Sequence, residues 1–213
     1  MRFASRQDAG RRLAASLRKC GVTADVVLGL PRGGVAVAAE VARELKRPLD
    51  VLVVRKVGHP FHREFAVGAM AEPDILVLDE MALVQIPAPR TALDRVIAEE
   101  TARLRSYAGR FHRPGARPLK DQTVLLVDDG LATGATAGAA VLSARRQQAR
   151  RILVAAPVAS VSAFEKLKQS ADDVLILWVD PAFGAVGQYY DDFSQTTDDE
   201  VISLLNAARP PGE

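Results

Sequence analysis

Two adjacent carboxylates, Asp128 and Asp129, end an apolar run in the segment VLLVDDGLATGAT, residues 124–136. A turn of small and hydroxyl residues follows them. Small residues let backbone N–H groups approach an anion at the start of a helix, and threonine hydroxyls add donors. Carboxylates beside such a turn would repel a bare anion, but they can accept hydrogen bonds from sugar hydroxyls or bind magnesium. The segment therefore predicts a site for a phosphorylated ribose.

A simpler interpretation of this segment is a solvated strand-to-helix turn in which Asp and Thr act as caps. One acid and one threonine would suffice for capping, whereas residues 128–136 contain two of each. No Gly-Lys-Ser/Thr follows, which excludes a Walker A loop, and the GxGxxG of dinucleotide-binding folds is absent.

Polar segments also follow two other apolar runs, DVVLGL (25–30) and LDVLVV (49–54). The first is followed by PRGG, which on its own is typical of a Pro-Gly turn. The second is followed by RKVGHPFHRE (55–64), where His59 and His62 suggest a metal site. We reject that site because no cysteine or third ligand is near.

The elements that must position these segments alternate along the chain. Continuous Val/Ile/Leu runs predict strands covered on both faces, as in a parallel sheet. We expect strands at 25–30, 49–54, 75–78, 123–127, 151–158 and 173–179, and helices at about 5–20, 35–46, 89–109, 137–149, 160–170 and 198–208. The Pro/Gly-broken segment 109–122 is a connection. The prediction is a single α/β domain over residues 1–213, with a central, mainly parallel sheet flanked by helices. Ligands bind beyond the carboxyl ends of such strands, so the polar loops should share one rim.

The composition narrows the partners and the cellular compartment expected for this domain. Its 28 Lys and Arg residues against 26 Asp and Glu give a net charge of only +2, which argues against nucleic-acid binding. The single cysteine, Cys20, excludes an internal disulfide and fits a reducing cytoplasm. No run approaches the roughly 18 apolar residues of a membrane span, and the polar start lacks the apolar core of a signal peptide. We expect a cytoplasmic protein that does not bind membranes.

The segment VLLVDDGLATGAT resembles the phosphoribosyl-pyrophosphate (PRPP) signature of type I phosphoribosyltransferases. The likeness extends over roughly residues 25–193, and the chain looks most like uncharacterised stand-alone phosphoribosyltransferase-like proteins of bacteria. It implies that Asp128 and Asp129 bind the ribose hydroxyls and Mg2+, directly or through water. It also implies a loop around the 5′-phosphate, formed by Ala132, Thr133, Gly134, Ala135 and Thr136. Gly130 departs from the family pattern, where a branched apolar residue is usual, and is expected to loosen the loop.

The same resemblance assigns a pyrophosphate site to Arg32, Gly33 and Gly34, with a cis peptide bond expected between Pro31 and Arg32. Arg55 and Lys56 resemble the paired basic residues that open a mobile loop in adenine and orotate enzymes. The resemblance therefore assigns Arg55 and Lys56 to the pyrophosphate site. It also makes them, together with Asp128 and Asp129, the expected catalytic residues. Cations there stabilise the charge that the leaving diphosphate gains.

Residues 57–72 are accordingly expected to be mobile and to close over the diphosphate, since Gly58, Pro60 and Gly68 should break regular structure. Arg63 could add positive charge to this loop.

The aromatic-rich segment WVDPAFGAVGQYYDDF (178–193) predicts either a small satellite core or a hood over the base, at about 178–197. By resemblance to oxopurine enzymes, Phe183, Val186 and Asp191 would bind the base. Oxopurine enzymes usually have an aspartate at the position of Ala132. Adenine enzymes and some pyrimidine enzymes usually have an alanine there, as this chain does. A general base would then come from Glu64, Glu72 or Asp191.

The resemblance implies an enzyme: magnesium-dependent transfer of the phosphoribosyl group of PRPP to a nucleobase-like acceptor, with release of pyrophosphate. The alternative is a non-catalytic regulator that binds PRPP or a nucleotide and acts on RNA or DNA, because one fold can serve both purposes. The balanced charge and the missing helix-turn-helix argue against this alternative. A homodimer is compatible with either.

Overall fold

The computed structural model describes residues 1–112 and 118–208, so the middle of the predicted 109–122 connection and the last residues lie outside it. The strands are β1 (Val26–Gly29), β2 (Leu49–Val51), β3 (Val54–His59), β4 (His62–Ala71), β5 (Ile75–Leu78), β6 (Thr123–Val127), β7 (Arg151–Ser160) and β8 (Asp173–Asp180). The helices are α1 (Arg6–Lys19), α2 (Gly33–Leu45), α3 (Glu80–Gln85), α4 (Arg90–Phe111), α5 (Ala135–Arg146), α6 (Val161–Lys168) and α7 (Asp198–Ala207).

Within the described residues, the central sheet has five parallel strands in the order β2-β1-β6-β7-β8. Alternate residues of its inner strands pack on opposite faces. Val27, Leu125 and Leu153 contact α1 and α2, whereas Leu126 and Ile152 join the core under α5 and α6. This double burial explains the continuous apolar runs, and it confirms the predicted α/β fold with a central parallel sheet flanked by helices.

A second, antiparallel sheet in the described part of the chain has three strands in the order β3-β4-β5. The prediction of residues 75–78 as a parallel strand is therefore wrong, and the predicted strand 49–54 divides between β2 and β3. A parallel neighbour needs a crossover of about a dozen residues. Only 72–74 separate β4 from β5, so β5 can pair with β4 only as an antiparallel neighbour. The short helix α3 was not predicted.

Helix α4 covers this second sheet. Leu93, Val96 and Leu104 of α4 pack in one cluster with Val57 of β3 and Val67 of β4. No helix in the described part of the chain is long and apolar enough to span a membrane.

The topology brings two of the polar loops together. Strand β1 has β2, the next strand along the chain, on one side and β6 on the other. Gly29, at the end of β1, lies opposite Val127, at the end of β6. This is the switch point at which open α/β sheets bind ligands. These two loops start at the same edge of the sheet, as predicted. The third predicted loop, 55–64, instead lies within β3, β4 and the turn between them, in the second sheet.

Candidate functional site

The two carboxylates after β6 lie against the beginning of α2. A Cβ atom added to Gly33 would lie 2.0 Å from Oδ2 of Asp129, and one added to Gly34 would lie 2.8 Å from Oδ1 of Asp128. No other residue type could occupy positions 33 and 34 without displacing these side chains. The glycine pair thus has a role that the sequence did not indicate, which is to admit the carboxylates to the positive end of a helix.

Arg6 of α1 enters the same site, and sequence analysis missed it. Its Nε donates to Oδ2 of Asp129 at 2.7 Å, and its Nη1 donates to the carbonyl of Ser194 at 2.7 Å. The guanidinium lies 4.0 Å from the ring centroid of Phe193. The chain has five arginines in its first 18 residues, and no pattern in the sequence distinguishes this one from the others.

Burial and mutual repulsion shape the charge of the pair. Burial, followed by the charge of Asp129, raises the pKa of Asp128 well above its usual value. Burial also raises the pKa of Asp129, although the nearby Arg6 opposes this shift. The charge of Lys56 lowers the pKa of both carboxyls. A half-buried acidic pair with raised pKa values favours a bound cation.

The oxygen donors of the acidic pair suit Mg2+. Mg2+ prefers oxygen ligands, and proteins usually bind it through one or two carboxylates together with water and substrate phosphates. Asp128 and Asp129 supply such carboxylates, and no cluster of three or more His, Cys, Asp or Glu occurs in 1–112 and 118–208. The residues present therefore fit a magnesium ion that is shared with a phosphate ligand.

The Thr/Gly turn leads directly into α5. Gly134 has a φ of 73° and caps the helix, and Thr133 Oγ1 accepts from the amide of Ala135 at 3.3 Å. The hydroxyl of Ser160 donates to the carbonyl of Ala132 at 2.6 Å, which anchors the turn on the end of β7. The amide of Ala135 is engaged by Thr133, whereas the amides that follow it in the first turn of α5 lack intrahelical partners and can bind a phosphate.

The PRGG loop has the expected cis peptide bond between Pro31 and Arg32. The Arg32 guanidinium lies 3.4 Å from Oδ1 of Asp198, at the beginning of α7. Arg110 of α4 pairs with the same carboxylate. The contact with Asp198 therefore orients the Arg32 side chain toward α7.

Arg55 and Lys56 are neighbours on β3, so their side chains leave opposite faces of the strand. Nη2 of Arg55 lies 2.9 Å from Oε2 of the buried Glu100, and its guanidinium lies 5.3 Å from the ring centroid of Tyr107. Lys56 is exposed and acts electrostatically on the aspartate pair. The two cations that the sequence grouped together thus have different surroundings.

The predicted 57–72 loop is largely the β3–β4 hairpin. The expectation that Gly58 and Gly68 break regular structure is wrong, since both lie within strands; the turn falls at Pro60. Gly58 sits at a register shift where an added Cβ would lie 2.4 Å from the carbonyl oxygen of Arg63. A cleft of about 560 Å³ separates the hairpin from α4, and Arg63 reaches Glu99 across it at 2.9 Å.

The C-terminal segment packs beside the acidic pair. Val186 fills the space that a side chain at Gly130 would need, since an added Cβ would lie 2.6 Å from its Cγ1. Gly130 thus allows Val186 to pack closely, and the expected loosening of the loop stays a prediction. Tyr190 Oη donates to the carbonyl of Asp129 at 2.6 Å. The Phe183 ring lies 5.4 Å from that of Tyr189.

A satellite core lies under this segment, with Phe3, Val158, Tyr189 and Tyr190 at its centre and Phe183 and Val186 packed against it. The first of the two interpretations of the segment is therefore correct, and it leaves a base-binding role for its exposed parts as a hypothesis. Asp191 is exposed and pairs with Arg2.

Glu72, a candidate general base, is engaged elsewhere. Its Oε1 accepts from the amide of Val53 at 2.7 Å and lies 2.7 Å from Nε2 of His112. This hydrogen bond raises the pKa of His112. Glu72 therefore connects the end of α4 to the second sheet, whereas Glu64 lines the cleft beside the hairpin.

Comparison with known proteins matches residues 4–193 to the family model described as a phosphoribosyl transferase domain. The chain is 44% identical over 207 residues to a Mycobacterium tuberculosis protein named "Putative phosphoribosyl transferase Rv0571c". That match covers 97% of this chain and 47% of the relative, so the chain spans about half the length of the curated relatives it matches.

Solved structures give a consistent result. The crystal structure of TT1426 from Thermus thermophilus is 46% identical, with a TM-score of 0.80 over 99% of this chain and 100% of that one. The AQ2163 protein of Aquifex aeolicus is 11% identical, with a TM-score of 0.50, and covers 82% of this chain and 74% of its own. The second likeness concerns the fold alone.

Proposed function

The chain belongs to the phosphoribosyl transferase family, and we propose that it is a magnesium-dependent phosphoribosyltransferase that uses PRPP. The 5-phosphoribosyl group passes to a nitrogenous base, the bond from the anomeric carbon to the pyrophosphate oxygen breaks, and pyrophosphate leaves. One observation carries the proposal: the half-buried pair Asp128 and Asp129 lies against Gly33 and Gly34 at the switch point of the sheet. The chain spans about half of its curated relatives, so the proposal concerns the activity of this domain.

In this proposal the acidic pair accepts hydrogen bonds from the two ribose hydroxyls. The turn from Ala132 to Thr136 binds the 5′-phosphate through the first amides of α5 and the threonine hydroxyls. The left-handed backbone at Gly134 and the hydrogen bond from Ser160 support this role, since they hold the turn in place before any ligand binds.

The pyrophosphate is proposed to lie between Arg32, the start of α2 at Gly33 and Gly34, and the cations of β3. Charge builds up on the departing oxygen as the glycosidic bond breaks, so a cation placed there stabilises the transition state more than the ground state. Lys56 suits this role because its charge already reaches the acidic pair. Arg55 is proposed to act from the cleft between the hairpin and α4, which Lys56 also lines.

Mg2+ is proposed to be held by Asp128 and Asp129, directly or through water, together with the phosphates of PRPP. When bound, it neutralises phosphate charge and orients the diphosphate. The protein itself binds the sugar, positions the reacting carbon and excludes water. Holding the reactants in this geometry lowers the free-energy barrier of the displacement.

The acceptor is proposed to bind beside the C-terminal segment, against Phe183 and Val186 and near Asp191. With Ala132 in place of an aspartate, this site gives no carboxylate to the base from the phosphate loop. Glu64 is the sequence candidate for a general base that lines the cleft of the hairpin. The cytoplasm is the proposed setting, since the single cysteine Cys20 is free and exposed.

The direct test incubates the protein with PRPP, Mg2+ and a panel of nucleobases and follows pyrophosphate release. We expect release above the rate of PRPP hydrolysis with at least one base, and its loss in Asp128→Asn. If no base gives such release and the protein binds RNA or DNA in a PRPP-dependent way, the regulator is favoured in place of the enzyme.

A further inference from the structure

Arg6 joins parts of the chain that are far apart in sequence. Its side chain is 10% exposed and lies between Asp129, the carbonyl of Ser194 and the ring of Phe193. An added Cβ on Gly33 would lie 2.7 Å from its Nε, so the guanidinium also closes over the start of α2. A buried guanidinium is tolerated only when its donors are paired, and here the pairing runs into the candidate site.

The contact with Asp129 is specific to one oxygen. Nε of Arg6 donates to Oδ2, the same atom that an added Cβ on Gly33 would meet. The Oη of Tyr190 fixes the backbone of the same residue through its carbonyl. With the backbone and one carboxylate oxygen held, the direction of the other oxygen is fixed as well.

We propose that Arg6 is a positioning residue for PRPP: it holds Oδ2 of Asp129 so that the second carboxylate oxygen faces the ribose hydroxyls. This inference rests on the proposed function, and it adds helix α1 to the machinery of the site. It also assigns unequal duties to the two aspartates, since Arg6 contacts Asp129 and not Asp128.

The test measures the affinity for PRPP with Mg2+ by calorimetry in Arg6→Met, Arg6→Lys, Asp129→Asn and the double variant Arg6→Met with Asp129→Asn. Arg11→Met is the control, because Arg11 lies on the same helix and is exposed. We expect Arg6→Met to weaken binding by about tenfold or more, Arg6→Lys to weaken it less, and Arg11→Met to leave it unchanged.

A double-variant cycle separates positioning from a general loss of structure. If Arg6 acts through Asp129, the double variant binds about as weakly as the worse single variant, because the effects are not additive. Additive losses, or wild-type affinity in both Arg6 variants, would overturn the inference and leave the proposed function standing. If the wild-type protein itself does not bind PRPP, the proposed function fails, and the role of Arg6 fails with it.

Discussion

Gly33 and Gly34 meet two requirements at the scale of single residues. Their amides begin α2, where an anion is favoured, and their missing side chains give room to Asp128 and Asp129. Only the first role is visible in a Pro-Arg-Gly-Gly sequence. The second depends on a carboxylate almost a hundred residues away, which the sheet brings to the same edge.

Replacing Gly33 by alanine tests the second role. Its Cβ would lie 2.0 Å from Oδ2 of Asp129, so the carboxylate must move. We expect PRPP affinity to fall by about tenfold or more, measured by calorimetry. Gly138 is a matched control, because an added Cβ there meets no atom within 4 Å. Gly138→Ala on α5 should keep PRPP affinity and raise stability by up to about 1 kcal/mol. Equal affinity in both variants would contradict the account of Gly33.

Lys56 is expected to affect the rate more than binding. An interaction made mainly in the transition state changes turnover, whereas one made equally in the ground state changes chiefly the Michaelis constant. Lys56→Ala should keep PRPP affinity within about tenfold while turnover falls by about a hundredfold. Steady-state kinetics and calorimetry on one preparation measure both. A loss of affinity that matches the loss of turnover would assign Lys56 to ground-state binding.

At the scale of elements, the β3–β4 hairpin is joined to α4 by ion pairs, Arg55 with Glu100 and Arg63 with Glu99. The exposed pair contributes little to stability, and the contribution of the pair with the buried Glu100 depends on its surroundings. The sequence predicted a closing loop here, and the structure gives that loop a strand conformation.

We predict that the amides of residues 57–66 exchange with solvent more slowly when PRPP and Mg2+ are bound. Closure over the diphosphate would exclude water and protect them. Hydrogen exchange measured by mass spectrometry checks this. Amides on the inner strand β6 are the internal control and should stay slow in both states. Equal exchange of the hairpin with and without PRPP would rule out a lid.

The end of α4 offers a pH-dependent contact away from the site. Its hydrogen bond with Glu72 raises the pKa of His112, so the protonated form is more stable in the folded protein. This contribution is complete below the unfolded pKa of about 6.5 and is lost as the pH rises through the folded value.

His112→Gln should therefore lower the melting temperature more at pH 6 than at pH 9. At pH 6 we expect a decrease of about 2–4 °C, which corresponds to roughly 1 kcal/mol in a domain of this size. Thermal unfolding of both proteins at the two pH values gives the difference. A decrease that is equal at both pH values would show that the charged pair with Glu72 does not stabilise the fold.

Across the whole molecule, the sequence predicted those elements that a local residue pattern determines. Buried parallel strands appear as continuous apolar runs, so 123–127 and 151–158 were predicted close to their observed positions. The run at 75–78 has the same composition, but its partner β4 is rich in polar and small residues and gave no strand signal. Its sheet could not be inferred without that partner.

Some residues of the candidate site could likewise be predicted from the sequence, and others could not. The acidic pair and the turn before α5 form one continuous motif and could be found by pattern. Arg6 and Tyr190 reach that motif from distant parts of the chain. Nothing local marks Arg6, and the aromatic-rich segment that contains Tyr190 gives no sign of a contact with the acidic pair. Contacts of this kind depend on the packing of α1 and of the C-terminal segment, which no short-range spacing encodes.

Asp128 and Asp129 are proposed to bind the ribose of PRPP with Mg2+, and the whole proposed function depends on this role. The most direct measurement is calorimetric titration of the wild-type protein with PRPP, with and without Mg2+, repeated on Asp128→Asn and Asp129→Asn. We expect saturable binding that requires Mg2+ and is weakened by about tenfold or more in each variant. Binding that is absent from the wild type, or that is equal in all three proteins, would contradict it.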